Sequence, residues 1–459
     1  MASASTQSTP LLLTFYGDDF TGSTDAMEAV AMAGIPTMLF LEPPTREDLA
    51  RYPAVRVVGV AGTSRSRPPE WMDRELPAVF ERLKALGAPY CHYKTCSTFD
   101  SSPTVGNIGR VAEIGRRVFG SPALVVVGVA RHKRFVMFST LFAAGSFSGN
   151  QEVYRIDRHP TMSRHPVTPM QEADLRLHLA RQTDSRIVGF DFLRMLAEDA
   201  DRALDAVIAE GAELVVLDTF DAATTLAAGR LMAHRAAAAP VFLVGSSGVE
   251  YALTEHLARS GALPRQPIPA ARGPVGRILS VCGSCSPITE GQIAWAAGNG
   301  FAPLALDTVA LIGGTDEGPL KAALTAQVLA ALDGHKGVLL HTARGPGDPR
   351  IEATRAALER RGLTGFDSSR ILGGILGRAL RDIVAATGIG RVALAGGDSS
   401  SHTAQAMGID ALEVAGPLVP GAPLCRVHSR DAVIDGMEIV FKGGQVGGAD
   451  FFARVLAGC

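Results

Sequence analysis

Strand-sized apolar runs that each break off into a turn of small and polar residues recur along the chain, and this grammar constrains the fold more than any other feature. Leu11–Tyr16 gives way to GDDFTG, Val55–Val60 to AGTSRS, Leu124–Val129 to ARHK and Leu214–Leu217 to DTFD. The pattern continues with Val241–Val244 before GSSG, Arg277–Val281 before CGSCS, Gly337–Leu340 before HTARGPG and Val392–Leu394 before AGGDSSS. Short uninterrupted apolar runs of this kind read as parallel strands buried on both faces. Helical segments lie between many of them, over Asp25–Gly34, Glu70–Leu86, Gln171–Arg181, Leu193–Gly211, Pro319–Leu332 and Arg350–Arg361. Alternating β and α segments predict an α/β fold with its active groups at the carboxyl ends of strands, where ligands dock in such sheets.

At 459 residues the chain exceeds the ~250–300 residues at which single cores stop growing. Two domains are therefore expected, each a mainly parallel sheet flanked by helices, with the active site in the cleft between them. The stretch Ser260–Arg277, rich in Pro, Gly and Arg and without apolar period, reads as the linker. The boundaries are then 1–259 for the first domain, 260–277 for the linker and 278–459 for the second. Residues 131–170 form the other irregular stretch, read as a functional loop or a surface excursion. Lys plus Arg (44) nearly balances Asp plus Glu (46), so bulk charge holds neither nucleic acid nor an acidic membrane. Apolar runs fall far short of the ~20 residues a bilayer requires. Six irregularly spaced cysteines and a start without signal-peptide features point to the cytoplasm. The sequence leaves the oligomeric state open, a homo-oligomer included.

Three loops in the first half carry candidate chemistry. In Tyr16–Asp25, YGDDFTGSTD, the carboxylates of Asp18 and Asp19 sit beside hydroxyls, a set suited to a polyol; adjacent side chains of an extended segment point opposite ways, so one of the two is expected to hold the loop. Lys94, Ser97 and Asp100 in KTCSTFDSSP combine a cation, a hydroxyl and an acid, as a sugar acid needs, though a solvated turn has the same composition. Asp157–Met170 holds two Arg and two His among prolines, including Arg164 and His165. Anion binding or loop structure fits it better than zinc, for which no further ligand stands at the right spacing.

In the second half, LAGGDSSSHT ends a strand and opens a helical stretch over Thr403–Met407. Glycines there let a phosphate approach the backbone, while the helix start supplies N–H donors. CGSCSP and KGGQVGG have the same placement, and three such loops favour a nucleotide. Cys282 and Cys285 form a C-x-x-C whose surroundings read better as a ligand turn than as a redox centre. Neither a Walker loop nor a dinucleotide fingerprint occurs.

Taken together, YGDDFTGSTD, YKTCSTFDSSPTVGNIG, RHPVTPM, GSCS, GGDSSS and KGGQVGG resemble, in order and over nearly the whole chain, the signatures of the four-carbon acid sugar kinase family. The resemblance implies an N-terminal sugar-acid domain, a C-terminal ATP domain, and γ-phosphoryl transfer to a hydroxyl of threonate, erythronate or a 3-oxo-tetronate. It implies Ser284, Gly396, Gly397, Asp398, Ser399 and Gly444 on the nucleotide, and Asp18, Asp19, Lys94, Ser97, Asp100, Arg164 and His165 on the sugar acid. ATP and Mg²⁺ are the expected cofactors. Asp19 is expected to orient the acceptor hydroxyl, and Asp398 to carry Mg²⁺ beside the phosphates. Ser401-His402, Gly443 and Gln445-Val446 depart from the family pattern, and 3-oxo-isoapionate joins the candidate substrates. A sugar-phosphate isomerase or aldolase and a non-catalytic sugar-acid sensor are the rival readings.

Overall fold

The computed structural model describes residues 10–145, 152–165, 167–263, 267–313 and 317–459, apart from the side chains of Phe366 and Asp398. It separates into two compact units. One takes the chain up to Asp18, Ala29–Thr37 and Pro43–Ile268; the other takes Asp19–Glu28, Met38–Glu42 and Pro269–Cys459.

In chain order the strands are β1 Leu13–Gly17, β2 Thr37–Phe40, β3 Val57–Ala61, β4 Tyr90–Lys94, β5 Ala123–Val126, β6 Arg134–Met137, β7 Thr140–Ala144, β8 Val153–Arg155, β9 Ile187–Phe190, β10 Leu214–Leu217 and β11 Val241–Gly245. They continue as β12 Ile278–Cys282, β13 Ala302–Ala305, β14 Gly337–His341, β15 Arg391–Ala395, β16 Ala411–Val419, β17 Ala422–His428 and β18 Glu438–Lys442. The N-terminal unit holds a parallel sheet in the order β3-β1-β4-β11-β5-β10-β9. In the C-terminal unit β13-β14-β12-β15-β18 are parallel, and β17, β16 and β2 extend the sheet antiparallel. Both units thus carry the expected mainly parallel sheets.

Helix Ile108–Phe119 shows how the layers close. Ile108, Val111, Ala112, Gly115 and Phe119 recur at helical spacing and are buried, Asn107 Oδ1 caps the first turn by accepting from Arg110 N–H at 2.6 Å, and Gly120 ends the helix at φ 70°. A Cβ on Gly115 would come within 2.1 Å of the Phe242 ring, so only glycine lets the helix press onto β11. Phe242 in turn packs on Phe80 and Phe119 at centroid distances of 5.1 and 5.5 Å. Each such fully buried side chain contributes ~1.5–3 kcal/mol.

The stretch 131–170 differs from its reading as irregular, for β6, β7 and β8 form a small antiparallel sheet within it. Its first hairpin turns on Phe138 and Ser139, both at positive φ (48° and 61°). Such turns ordinarily advertise themselves by Asn-Gly. Here the conformation is held by the buried Asp218 carboxylate, which accepts from the N–H groups of Phe138 and Ser139 at 2.8 and 2.9 Å. Helix boundaries also moved: the expected Asp25–Gly34 helix starts at Phe20, Leu193–Gly211 divides into Phe192–Met195 and Ala200–Ala209, and only Leu175–Leu179 of Gln171–Arg181 is helical.

One buried charge ties the C-terminal unit together. Arg391 opens β15 opposite Glu438 of β18, and its Nε and Nη2 donate to Glu438 Oε2 at 2.8 and 2.5 Å. Its Nη1 donates to the carbonyls of Val455 and Leu456, at 2.9 and 3.2 Å, in the last helix Phe451–Ala457. Burial would raise the Glu438 pKa, but Arg272 and Arg391 hold it below the usual carboxylate range. Truncation would leave that carboxylate and two carbonyls without this donor. Arg391→Ala should therefore cost ~3–5 kcal/mol, read as an earlier denaturant transition of the C-terminal unit; a loss below ~1 kcal/mol would refute the staple.

Candidate functional site

Parallel register sets the geometry of the N-terminal unit. Gly17 of β1 is level with Ala61 of β3 and Lys94 of β4, and Lys94 is level with Gly245 of β11. The turns that follow these strands therefore begin side by side. Asp18 is fixed between two of them, since its N–H donates to the Lys94 carbonyl at 2.8 Å and its carbonyl accepts from Arg65 N–H at 3.0 Å. Its carboxylate Oδ2 stands 3.3 Å from Arg65 Nε. Lys94 is 2% exposed, with Nζ donating to the Thr95 carbonyl at 2.9 Å.

Asp100 joins the same cluster. Its Oδ1 accepts from Thr98 Oγ1 at 2.5 Å and its Oδ2 from Thr168 Oγ1 at 3.1 Å. Burial alone would raise its pKa; the nearby Arg65 guanidinium, with Thr98, His165 and Thr168, more than offsets this and keeps the acid ionised. Thr168 also links to His165, whose Nδ1 accepts from Thr168 N–H at 3.1 Å. With that nitrogen an acceptor, the ring N–H lies on Nε2. The two motifs separated by more than sixty residues in sequence thus meet at Asp100.

The turn that presents Asp100 is strained and buttressed. Phe99 is fully buried at φ 55°, a conformation L-residues seldom adopt. Ser101 Oγ donates to its carbonyl at 3.1 Å, and His178 also bonds that backbone. Gln182 Nε2 lies 3.0 Å from His178 Nε2 and donates to it, since an amide N–H₂ cannot accept.

Asp19 takes the other path. Its Oδ1 accepts from Gly22 N–H at 2.7 Å and its carbonyl from Ser23 N–H and Oγ, so it caps the helix Phe20–Ala31 and falls in the C-terminal unit. Ser97 is half-buried in the same turn as Asp100, and Arg164 is exposed beside His165. Arg65, Thr98 and Thr168 are additions to the expected residues. Arg65 stands in AGTSRS after a predicted strand, which was the available signal.

The C-terminal unit repeats the arrangement, with Cys282, Ala395 and Lys442 level at the ends of β12, β15 and β18. The N–H groups of Gly283 and Ser284 donate to the Ala395 carbonyl at 2.8 and 3.1 Å, and Gly396 N–H to the Lys442 carbonyl at 3.0 Å. Contacts here leave no room for side chains: a Cβ on Gly396 would lie 2.6 Å from Ser399 Oγ, on Gly283 2.3 Å from the same atom, and on Gly444 2.7 Å from Ser284 Oγ. Gly396 adopts φ 155°. Ser286 caps the helix Pro287–Ala297 by accepting from Thr289 N–H at 3.1 Å and donates to the Gly444 carbonyl. Gln292 Nε2 reaches the carbonyls of Val446, Gly447 and Gly448 at 3.0–3.1 Å.

Gly397 precedes the helix Asp398–Met407, which starts five residues before the expected Thr403. The side chain of Asp398 lies outside the described residues. Two helix starts with their N–H donors therefore flank the three glycine turns, the arrangement that suits an anion.

The Cys282 thiol is fully buried and pushed up to about 12 by that burial, whereas Cys285 is exposed, and both are free. His159 uses Nδ1 to accept from Thr161 and Met162 N–H at 3.2 Å, and no group of three metal-ligating side chains occurs among the described residues. No described helix is long and apolar enough to cross a membrane.

The model of a sugar-binding N-terminal domain matches residues 13–253 and that of a nucleotide-binding C-terminal domain residues 279–452. The chain is 47% identical to a 3-oxo-isoapionate kinase of Paraburkholderia graminis, over 98% of this chain and 94% of that protein. It is 31% identical to a 3-oxo-tetronate kinase of Methylobacterium radiotolerans, over 97% and 99%. Solved structures from Salmonella typhimurium and Haemophilus influenzae share the fold, with TM-scores of 0.74 and 0.68, identities of 22% and 21%, and coverage of 96% or more of each chain.

Buried histidines give the structure a pH dependence. Burial, aided by Arg181, lowers His178 to about 4, and burial with Arg350 and Arg344 lowers His341 to about 4. Below its ordinary value of 6.5 each is protonated in the unfolded chain before the folded one, so stability falls as the pH drops. The loss should run from about pH 6.5 to about 4 and reach roughly 3 kcal/mol for each residue. Urea midpoints across that range should fall, less steeply in His178→Gln; a variant as steep as the parent would contradict the assignment.

Proposed function

This chain belongs to the four-carbon acid sugar kinase family, and from that premise we propose that it phosphorylates a hydroxyl of a branched 3-oxo sugar acid of the 3-oxo-isoapionate type, with ATP as donor. The observation that carries this reading is the meeting of three glycine-rich turns at one strand edge of the C-terminal unit, where Gly283, Gly396 and Gly444 are packed too closely for a Cβ. Such a cradle accepts phosphates against backbone N–H groups. Full-length identity of 47% to a kinase whose name specifies 3-oxo-isoapionate supports that acid over the straight-chain tetronates.

The N-terminal region 1–259 takes the acid in this reading, and 278–459 the nucleotide, with 260–277 between. Lys94 and Arg65 supply positive charge for the carboxylate, while Asp18, Ser97, Asp100 and His165 Nε2–H address hydroxyl and carbonyl oxygens. Arg164 stands at the rim. Asp19, anchored by the helix start, orients the acceptor hydroxyl. Ser284, Gly396, Gly397, Ser399 and Gly444 cradle the phosphates. The donor set fits a triphosphate, because the Ser284 and Ser399 hydroxyls stand among close-packed glycines and Lys442 is a buried cation behind them. Asp398 is the residue assigned to hold Mg²⁺, which when bound would supply charge neutralisation to the phosphates.

A coupled ADP assay with a panel of sugar acids should show turnover greatest with 3-oxo-isoapionate, lower with 3-oxo-tetronates and least with threonate or erythronate. ADP release indifferent to every acid would overturn the reading. Lys94→Ala should weaken binding of the acid by ~2–5 kcal/mol and leave the KM for ATP nearly unchanged; equal loss for a neutral polyol analogue would mean that Lys94 only supports the fold. Asp19→Asn should lower kcat by ~10²-fold or more with ATP affinity kept, and wild-type turnover in that variant would pass the role to Asp18 or Asp100.

A further inference from the structure

Lys442 is a fully buried lysine at the end of a central strand, and no described carboxylate pairs with it. Its Nζ donates to Thr289 Oγ1 at 3.0 Å and to the Gly443 carbonyl at 3.1 Å. An ammonium has three N–H groups, and no third acceptor is present among the described residues. From the last helix the Phe451 ring faces it at 5.6 Å, and from β12 the neutral Cys282 thiol. A buried cation surrounded by hydroxyl, carbonyl, ring and thiol is expensive to keep charged.

Its neighbours explain why a lysine stands there. Thr289 Oγ1 lies 3.3 Å from Ser284 Oγ and 3.4 Å from the Gly444 carbonyl. Ser284 and Gly444 belong to the turns assigned to the phosphates, so Nζ sits one layer of side chains behind them. Resting on the kinase reading, we propose that Lys442 is the charge partner of the nucleotide's phosphates, acting through the Thr289–Ser284 contact, and that loading the phosphates is coupled to protonation of this one buried amine. The amine gains an N–H bond as the buffer acid gives up its proton, and no other covalent bond changes.

The resting state is set accordingly, for burial lowers Lys442 to about 8, only slightly opposed by Cys282. A phosphate nearby favours the charged form and returns the amine toward its ordinary range. At pH 8.5 the free protein then holds the proton in a minority of molecules and the loaded protein in nearly all. Binding should take up about 0.7 proton. A lysine that merely braces the loop predicts no uptake.

Calorimetry of Mg·ATP binding to the full chain at pH 8.5, in buffers of different ionisation enthalpy, reads this number directly. The affinity should also weaken between pH 7.5 and 9.5. Lys442→Met, which removes the charge at similar volume, should abolish both the uptake and the pH dependence, weaken Mg·ATP by at least about tenfold at pH 7.5, and melt no earlier than the parent without nucleotide. Binding by the parent without uptake overturns the coupling and leaves the kinase reading standing, as does uptake that survives in Lys442→Met. Failure of the parent to bind Mg·ATP at any pH overturns both. Should the variant not fold, the parent's uptake and pH dependence decide the matter alone.

Discussion

Register between parallel strands is the constraint on which the rest depends. In a parallel pair the carboxyl ends lie at one edge, and here the ends are level: Gly17, Ala61, Lys94 and Gly245 in one sheet, Cys282, Ala395 and Lys442 in the other. Residues far apart in sequence then enter their turns side by side. A slip of one residue would turn every side chain of a strand to the opposite face, and the site would disperse with the core.

Against that frame, burial of charge is the recurring cost. Asp18, Lys94, Asp100 and Lys442 are each under a tenth exposed. Asp100 meets the cost with two hydroxyls and the field of Arg65, Asp18 with Arg65, whose Nε stands 3.3 Å from its carboxylate. Lys442 meets it only in part. Backbone strain follows the same logic, since Phe99 at positive φ holds Asp100 in place and is itself held by Ser101 and His178. Such local cost survives where surrounding structure over-determines it, as it does around ligand sites.

Much of this was legible in the sequence because the signal was local. Uninterrupted apolar runs gave the parallel strands to within a few residues, as Leu214–Leu217 and Val241–Gly245 show, and the glycine-rich segments gave the turns that meet at the ends of β12, β15 and β18. Pairings that depend on tertiary context were not legible. The antiparallel hairpin at Phe138-Ser139 lacks turn residues because a distant carboxylate, Asp218, replaces them. Arg65 reads as an ordinary surface residue until β1 and β3 lie side by side. The division of labour between Asp18 and Asp19 likewise depends on the helix beginning at Phe20, five residues ahead of the apolar period.

The central claim is that two preorganised polar sets, one for an acid and one for a triphosphate, serve a single phosphoryl transfer. Phosphorus NMR of the full chain with Mg·ATP and 3-oxo-isoapionate tests it most directly, because it reports where the phosphoryl group goes. A new phosphomonoester resonance should grow in step with ADP, with little inorganic phosphate. ATP consumed to inorganic phosphate alone, or no change in the spectrum, would contradict it.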